Sequence, residues 1–180
     1  MVLTSFKFIY LLFSLMVIYS LTLIPEKNEN KLDNIGIETN NIRSVNSSFT
    51  IYELVNTYSE KYDVPKYIIY NILYKETTYL GPFHWKYNPS RESNVGAVGP
   101  MQIMLPTCNW VNKKNFNKQD LKGNLKLNII TGIKYLSYLK SRYHNWEVVC
   151  GYYNTGKPII NDYAKYCANN RNYRVKWKKY

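Results

Sequence analysis

A chain of 180 residues that is 46% hydrophobic and 16% aromatic has the apolar surface to bury a core, which excludes a disordered polymer. Its 24 basic against 12 acidic side chains leave a net charge of +12, so the surface attracts polyanions, and less strongly as salt rises. Nucleic acid, an anionic membrane and an anionic cell wall all meet that condition.

The first element is apolar. After Lys7, "FIYLLFSLMVIYSLTLI" (Phe8 to Ile24) is seventeen uncharged residues, about 25 Å as a helix, just under the ~30 Å of a bilayer's hydrocarbon. A signal peptide wants a small-x-small cleavage site, and Ser20-Leu21-Thr22 is a poor one, so an uncleaved membrane anchor is favoured over a signal peptide for residues 1–24. The amino terminus and Lys7 precede the segment and a mixed-charge stretch follows it, which keeps the positive end in the cytoplasm and exports the rest of the chain. Residues 25–48, "PEKNENKLDNIGIETNNIRSVNSS", are Asn-rich and without period, a flexible linker. The folded domain is placed at 49–180.

Ser48 or Thr50 serves as a cap for a helix through "IYELVNTYSEKY", with Ile51, Leu54, Val55 and Tyr58 on one face. Pro65 suits a first helical position, and Ile68, Ile69, Ile72 and Leu73 form the buried stripe of "PKYIIYNILYKETTYL". Glu76 comes one turn past Ile72, so it points toward the packing seam. The stretch 81–100, punctuated by Gly81, Pro82, Pro89, Gly96, Gly99 and Pro100, reads as long loops with room for a small hairpin. "NLKLNIITGIKYLSYLKSRY" spaces Leu125, Ile129, Ile133, Leu136 and Leu139 as a helix does, "NWEVVCGYYNTG" ends at Gly156 like a glycine-capped helix, and "IINDYAKYCANN" makes a last one. The fold class is mainly α, a single helical domain with long loops, preceded by the membrane segment.

At the end of the chain "RNYRVKWKKY" interleaves five cations with Tyr173, Trp177 and Tyr180. That composition suits phosphate contacts and base stacking, yet no recognition motif accompanies it, so a frayed terminal helix is preferred and no specific nucleic acid is expected. Cys108, Cys150 and Cys167 have no metal-ligand spacing, and with two histidines no metal or other cofactor is implied. Cys150 and Cys167 are either a disulfide of an exported protein or, with Cys108, small buried thiols.

Few acids fall in the apolar part: Glu76, Glu92 on a polar loop and Glu147 beside Trp146. Alone, an acid at a helix end is usually solvated. Four elements in order change that reading: "KETTY" (Lys75 to Tyr79), "SNVGAVGPMQIM" (Ser93 to Met104), "NIITGIKYL" (Asn128 to Leu136) and "YYNTG" (Tyr152 to Gly156). This set resembles the lysozyme-like lytic transglycosylases, the soluble-lytic-transglycosylase (goose-type lysozyme) superfamily that cleaves bacterial peptidoglycan, over about residues 50 to 168. The resemblance implies an α+β lysozyme-like catalytic domain with cleft-lining loops. It implies Glu76 as the catalytic acid, Ser93, Met101 and Gln102 on the loop lining the sugar cleft, Tyr153 and Asn154 beside the acid, and Tyr163 as a further cleft residue. Asn128, Gly132, Tyr135 and Leu136 match positions that pack the domain. Thr77 stands where the family usually has Ser, and Pro100 where it usually has Leu; neither removes a functional group.

Such chemistry needs a carboxyl that is protonated near neutral pH. A free Glu with pKa about 4.3 is protonated to roughly 0.2% at pH 7, and raising it to about 6 makes that nearly 10%. Ordinary glycosidases place a second carboxylate across the bond; no motif places one here. The resemblance implies one carboxyl acting as acid and then as base, with 1,6-anhydro-MurNAc as product. Lysozyme-type hydrolysis on the same fold, a non-catalytic membrane-tethered wall-binding protein and a basic polyanion-binding protein are the alternatives. Peptidoglycan strands, the membrane and an envelope-spanning machinery are the expected partners, and the cell envelope, on the periplasmic or extracytoplasmic side, the expected location.

Overall fold

The computed structural model describes residues 46–177. The Phe8–Ile24 segment and most of the 25–48 linker lie outside the described residues, and among those described no helix is long and apolar enough to cross a membrane. Among the described residues seven α-helices follow in order: α1 (Ser47–Lys61), α2 (Lys66–Thr77), α3 (Leu105–Asn112), α4 (Lys118–Gly123), α5 (Leu125–Tyr143), α6 (Trp146–Thr155) and α7 (Asp162–Asn169), then a 3-10 turn at Tyr173–Lys176. The β content among the described residues is two isolated bridges, Glu92 to Val98 and Val98 to Ile103.

Five of the seven helices open on an asparagine, Asn46, Asn117, Asn124, Asn145 and Asn161, whose side chain accepts from a first-turn backbone N–H. An Asn cap satisfies an otherwise orphaned donor. The cap of α1 is therefore Asn46, not Ser48 or Thr50. Ser48 is buried inside the helix, and its hydroxyl donates to the carbonyl of His84 at 2.6 Å. Gly156 ends α6 at φ 70°, as its place after the periodic run predicted.

Helix α2 is buried through its middle. It lies against α1, α7 and the 3-10 turn, and six consecutive residues, Ile68 to Leu73, are buried. This exceeds the predicted stripe, because a helix covered on all sides has no solvent face. Asn71 is the polar residue within that run that joins distant chain: its Nδ2 donates to the carbonyls of Cys167 (3.1 Å) and Asn170 (2.8 Å), and its Oδ1 accepts from Asn170 Nδ2 (2.9 Å). The end of α7 is thereby satisfied by a side chain from α2.

From Tyr173 to Trp177 the carboxyl-terminal segment is docked rather than frayed. Tyr173 stacks on Tyr70 at 5.1 Å, and Trp177 meets Tyr70 edge-on at 4.9 Å. Trp177 also fills the space a Cβ on Gly81 would take, with Cγ 2.4 Å from that position. Aromatic rings engaged this way are not free to stack on bases. The three cysteines are buried free thiols; burial pushes the Cys150 thiol up to about 12, so these groups are inert.

Candidate active site

Glu76 stands in the last turn of α2, half-buried, where the helix dipole disfavours negative charge. Its Oε1 accepts a hydrogen bond from the Tyr163 hydroxyl of α7 at 2.5 Å. Burial pushes the carboxyl above its ordinary value, and the Tyr163 bond and the nearby Lys75 ammonium pull it partly back. Desolvation wins, so the proton is held to higher pH than on a free glutamate. Burial also pushes the Tyr153 and Tyr163 phenols well up, the charge of Glu76 adding to both. The pair therefore surrounds the acid as neutral hydrogen-bonding groups.

The residue after the acid ties the helix end to the glycine loop. Thr77 is buried; its Oγ1 lies 3.1 Å from the Leu73 carbonyl, 3.0 Å from the Pro100 carbonyl and 2.5 Å from the Tyr87 hydroxyl. One hydroxyl proton serves the carbonyls, so Tyr87 donates to Thr77. Thr78 then ends α2 at φ 59° and ψ 33°, a left-handed conformation rare for a β-branched residue. Such backbone persists only where its surroundings over-determine it.

The loop from Ser93 to Met104 is held by its own atoms. Ser93 Oγ accepts from Ala97 N (3.0 Å), while Val98 and Ile103 exchange backbone bonds at 3.0 and 2.9 Å. Asn128 of α5 braces the turn: its Nδ2 donates to the Val98 carbonyl (2.8 Å) and its Oδ1 accepts from Met101 N (3.1 Å). A Cβ on Gly99 would sit 2.4 Å from that amide nitrogen, which is why glycine, at φ 78°, occupies the position. Gln102, at φ 48°, donates from Nε2 to the carbonyls of Gly99 (2.9 Å) and Arg91 (3.3 Å). Its Oε1 makes no hydrogen bond among the described residues.

Met101 departs from the expected cleft-lining role. Its side chain is fully buried, with the sulfur 2.4 Å from where a Cβ on Gly132 would be. The small residue on α5 makes a slot, and the thioether fills it. Met101 meets the candidate site through its backbone instead, its carbonyl accepting from the Tyr153 hydroxyl at 2.8 Å. Asn154 is exposed, and its Oδ1 accepts from Nδ2 of Asn161 at 3.1 Å.

Glu76 and Tyr163 thus form one hydrogen-bonded pair and Tyr153 and the Met101 carbonyl another, with Tyr153 near enough to feel the charge of Glu76. Ser93, Gln102 and Asn154 are ordered by neighbours other than Glu76. Sequence reasoning did not single out Tyr87, which braces Thr77, or Asn161, which caps α7 and holds Asn154 together. No group of His, Cys, Asp and Glu among the described residues could hold a metal ion. The arrangement presents a half-buried carboxyl whose charged form is disfavoured, a group able to donate a proton.

The family model for the Transglycosylase SLT domain matches residues 53–175. No curated protein matches the chain. Among solved structures the chain is similar to an inactive mutant of the lytic transglycosylase Slt from Pseudomonas aeruginosa, with a TM-score of 0.54 and 20% sequence identity. The match covers 70% of this chain and 23% of that one, so the chain spans about a quarter of that protein's length. At this identity the likeness shows a shared fold.

Proposed function

Because the chain belongs to the transglycosylase SLT domain family, we propose that it cleaves the β-1,4 bond between MurNAc and GlcNAc in peptidoglycan as a lytic transglycosylase. The observation that carries this reading is the half-buried Glu76 carboxyl, raised by desolvation and joined to Tyr163 at 2.5 Å. Glu76 gives its proton to the glycosidic oxygen as the C1–O bond breaks. The MurNAc C6 hydroxyl then closes on C1 and returns its proton to the same carboxylate. The product is 1,6-anhydro-MurNAc, no water is consumed, and one carboxyl serves twice. In support, the groups that move the Glu76 pKa are burial, Tyr163 and Lys75, with no second carboxylate among them.

Tyr163 steadies the carboxylate between its two duties, and Tyr153 fixes the glycine loop through the Met101 carbonyl. In this proposal Ser93, Gln102 and Asn154 supply polar groups for the sugars' acetamido and hydroxyl substituents, and Met101 contributes its main chain. In this proposal the apolar sequence at 8–24 serves as a membrane segment and the domain works outside the cytoplasmic membrane, which protease accessibility on intact spheroplasts tests.

Mass spectrometry of muropeptides released from purified sacculi tests the chemistry. Anhydro ends are expected from the wild-type chain, and a Glu76→Gln loss of roughly a hundred- to ten-thousandfold in rate. Hydrolysed ends, which retain one water more, would replace the transglycosylase by a lysozyme-type hydrolase. Anhydro products from Glu76→Gln at the wild-type rate would remove Glu76 from the mechanism.

A further inference from the structure

Away from Glu76, two exposed rings are held against each other. Trp110 of α3 is 53% exposed and Tyr138 of α5 is 40% exposed, and they meet edge to face with centroids 4.7 Å apart and planes at 79°. Single exposed aromatics need no explanation, but a fixed pair forming a ridge between two hollows does. One hollow, of about 320 Å³, is lined by both rings with Thr107, Tyr135 and Tyr152. The other, of about 410 Å³, adds Tyr62, Lys113, Lys134 and Ser137. Both volumes fall in the range of small-ligand sites.

One ring contact links the lining of the first hollow to the candidate active site. Tyr135 lies 5.7 Å from the ring of Tyr153, whose hydroxyl holds the Met101 carbonyl, and Thr107 stands in the helix that leaves the glycine loop. The linings of the two hollows carry no acid, and that of the second carries two lysines. Lys134 donates to Asn112 Oδ1 at 3.1 Å and lies 6.0 Å over the ring of Tyr62, while Lys113 is exposed at the end of α3.

We propose that the Trp110–Tyr138 ridge is an accessory sugar-stacking site for an amino-sugar glycan strand, an inference that rests on the peptidoglycan reading above. A pyranose ring presents a C–H face that packs on an aromatic ring, while its hydroxyl and acetamido groups project sideways. A ridge with a hollow on either side matches that shape, and the cations of the second hollow match the carboxylates such strands carry. A purely apolar protein partner would leave Thr107, Ser137 and the two lysines unanswered.

The test uses the full chain carrying Glu76→Gln, so that strands bind without being cut, and soluble uncrosslinked glycan strands as the probe in isothermal titration calorimetry. Adding Trp110→Ala is expected to weaken binding roughly three- to tenfold, the scale of one aromatic contact, and Trp110→Phe to restore most of it. Unchanged affinity in a Trp110→Ala protein with the parent's circular dichroism overturns the proposal. So does a Trp110→Ala protein that loses self-association in sedimentation velocity while binding strands as before, which reassigns the ridge to a protein contact. The wild-type chain's failure to release cleaved muropeptides, with the binding difference intact, removes the catalytic reading and leaves this one; no strand binding with Trp110 present removes both.

Discussion

The middle and the last turn of α2 are built from the same helix on opposite terms. From Ile68 to Leu73 every residue is buried, and the amide of Asn71 is hydrogen-bonded on both sides to the end of α7. Three residues beyond Leu73 the same helix carries a carboxyl whose charge is disfavoured by burial, and it stops on a threonine at φ 59°. The first region lowers the free energy of the fold; the second holds groups that a fold selected for stability alone would replace. Strain and desolvation confined to one helix end are affordable only because the neighbouring turns are locked.

The sharpest way to break the locked side is at the packing of α6 on α7, the helix that covers it. A Cβ on Gly151 would lie 1.7 Å from the Ile159 carbonyl oxygen, an approach that no side-chain movement relieves. Gly151→Ala is expected to cost about 3 kcal/mol or more, read as a lower urea midpoint. A midpoint within 0.5 kcal/mol of wild type, on an order-of-magnitude scale for neutral surface changes, would show that the connector shifts freely. At the site the sign reverses. A carboxyl whose folded pKa is raised makes the fold lose stability as pH climbs from the unfolded value through the folded one. Glu76→Gln is therefore expected to raise Tm at pH 7, with the gain shrinking below pH 4. A lower Tm at pH 7 would mean that the ionised carboxylate is favoured in the fold, contrary to its burial.

How much of this was legible before the coordinates follows from which interactions are local. The stripe Ile68, Ile69, Ile72 and Leu73, the spacing in α5 and the glycine end of α6 are repeats within a few residues, and they were readable. Helices α3 and α4, of 8 and 6 residues, are too short to show a period and were missed. The Asn caps sat in a chain so rich in asparagine that no single one stood out. The complete burial of Tyr70 and Asn71 was hidden because it depends on Asn170, Tyr173 and Trp177, about a hundred residues away. At the site, ordered motifs pointed to Glu76, while its bond to Tyr163 spans 87 positions. The resemblance implies only that Met101 lies on the cleft-lining loop, because a motif records which residue recurs and says nothing of the slot that Gly132 opens beneath it.

The Tyr163 bond separates two contributions at the strained end. It lowers the Glu76 pKa against the larger effect of burial, so Tyr163→Phe removes the opposing influence and leaves the carboxyl protonated to higher pH. The alkaline limb of the kcat/KM profile is expected to move upward in pH, with a fall in kcat because the carboxylate that receives the C6 proton has lost its donor. A limb that moves downward would mean that the phenol stabilises the protonated acid.

The smallest effect tests the locked side at its one visible flaw. The Tyr70 hydroxyl is buried without a hydrogen-bond partner among the described residues, boxed in by the rings of Tyr79, Tyr173 and Trp177. Burial pushes its pKa far above the ordinary phenol value, so the group is neutral and contributes no charge. An unmade hydrogen bond of a buried group costs on the order of 1 kcal/mol or more, whereas the ring faces that stack on Tyr173 and meet Trp177 do not depend on the oxygen. Tyr70→Phe is therefore expected to leave the urea midpoint unchanged or raise it slightly, with activity on sacculi intact. A loss of about 1 kcal/mol, the net worth of one ordinary hydrogen bond, would show instead that an ordered water reaches the hydroxyl, and that the middle of α2 is wetter than its packing indicates.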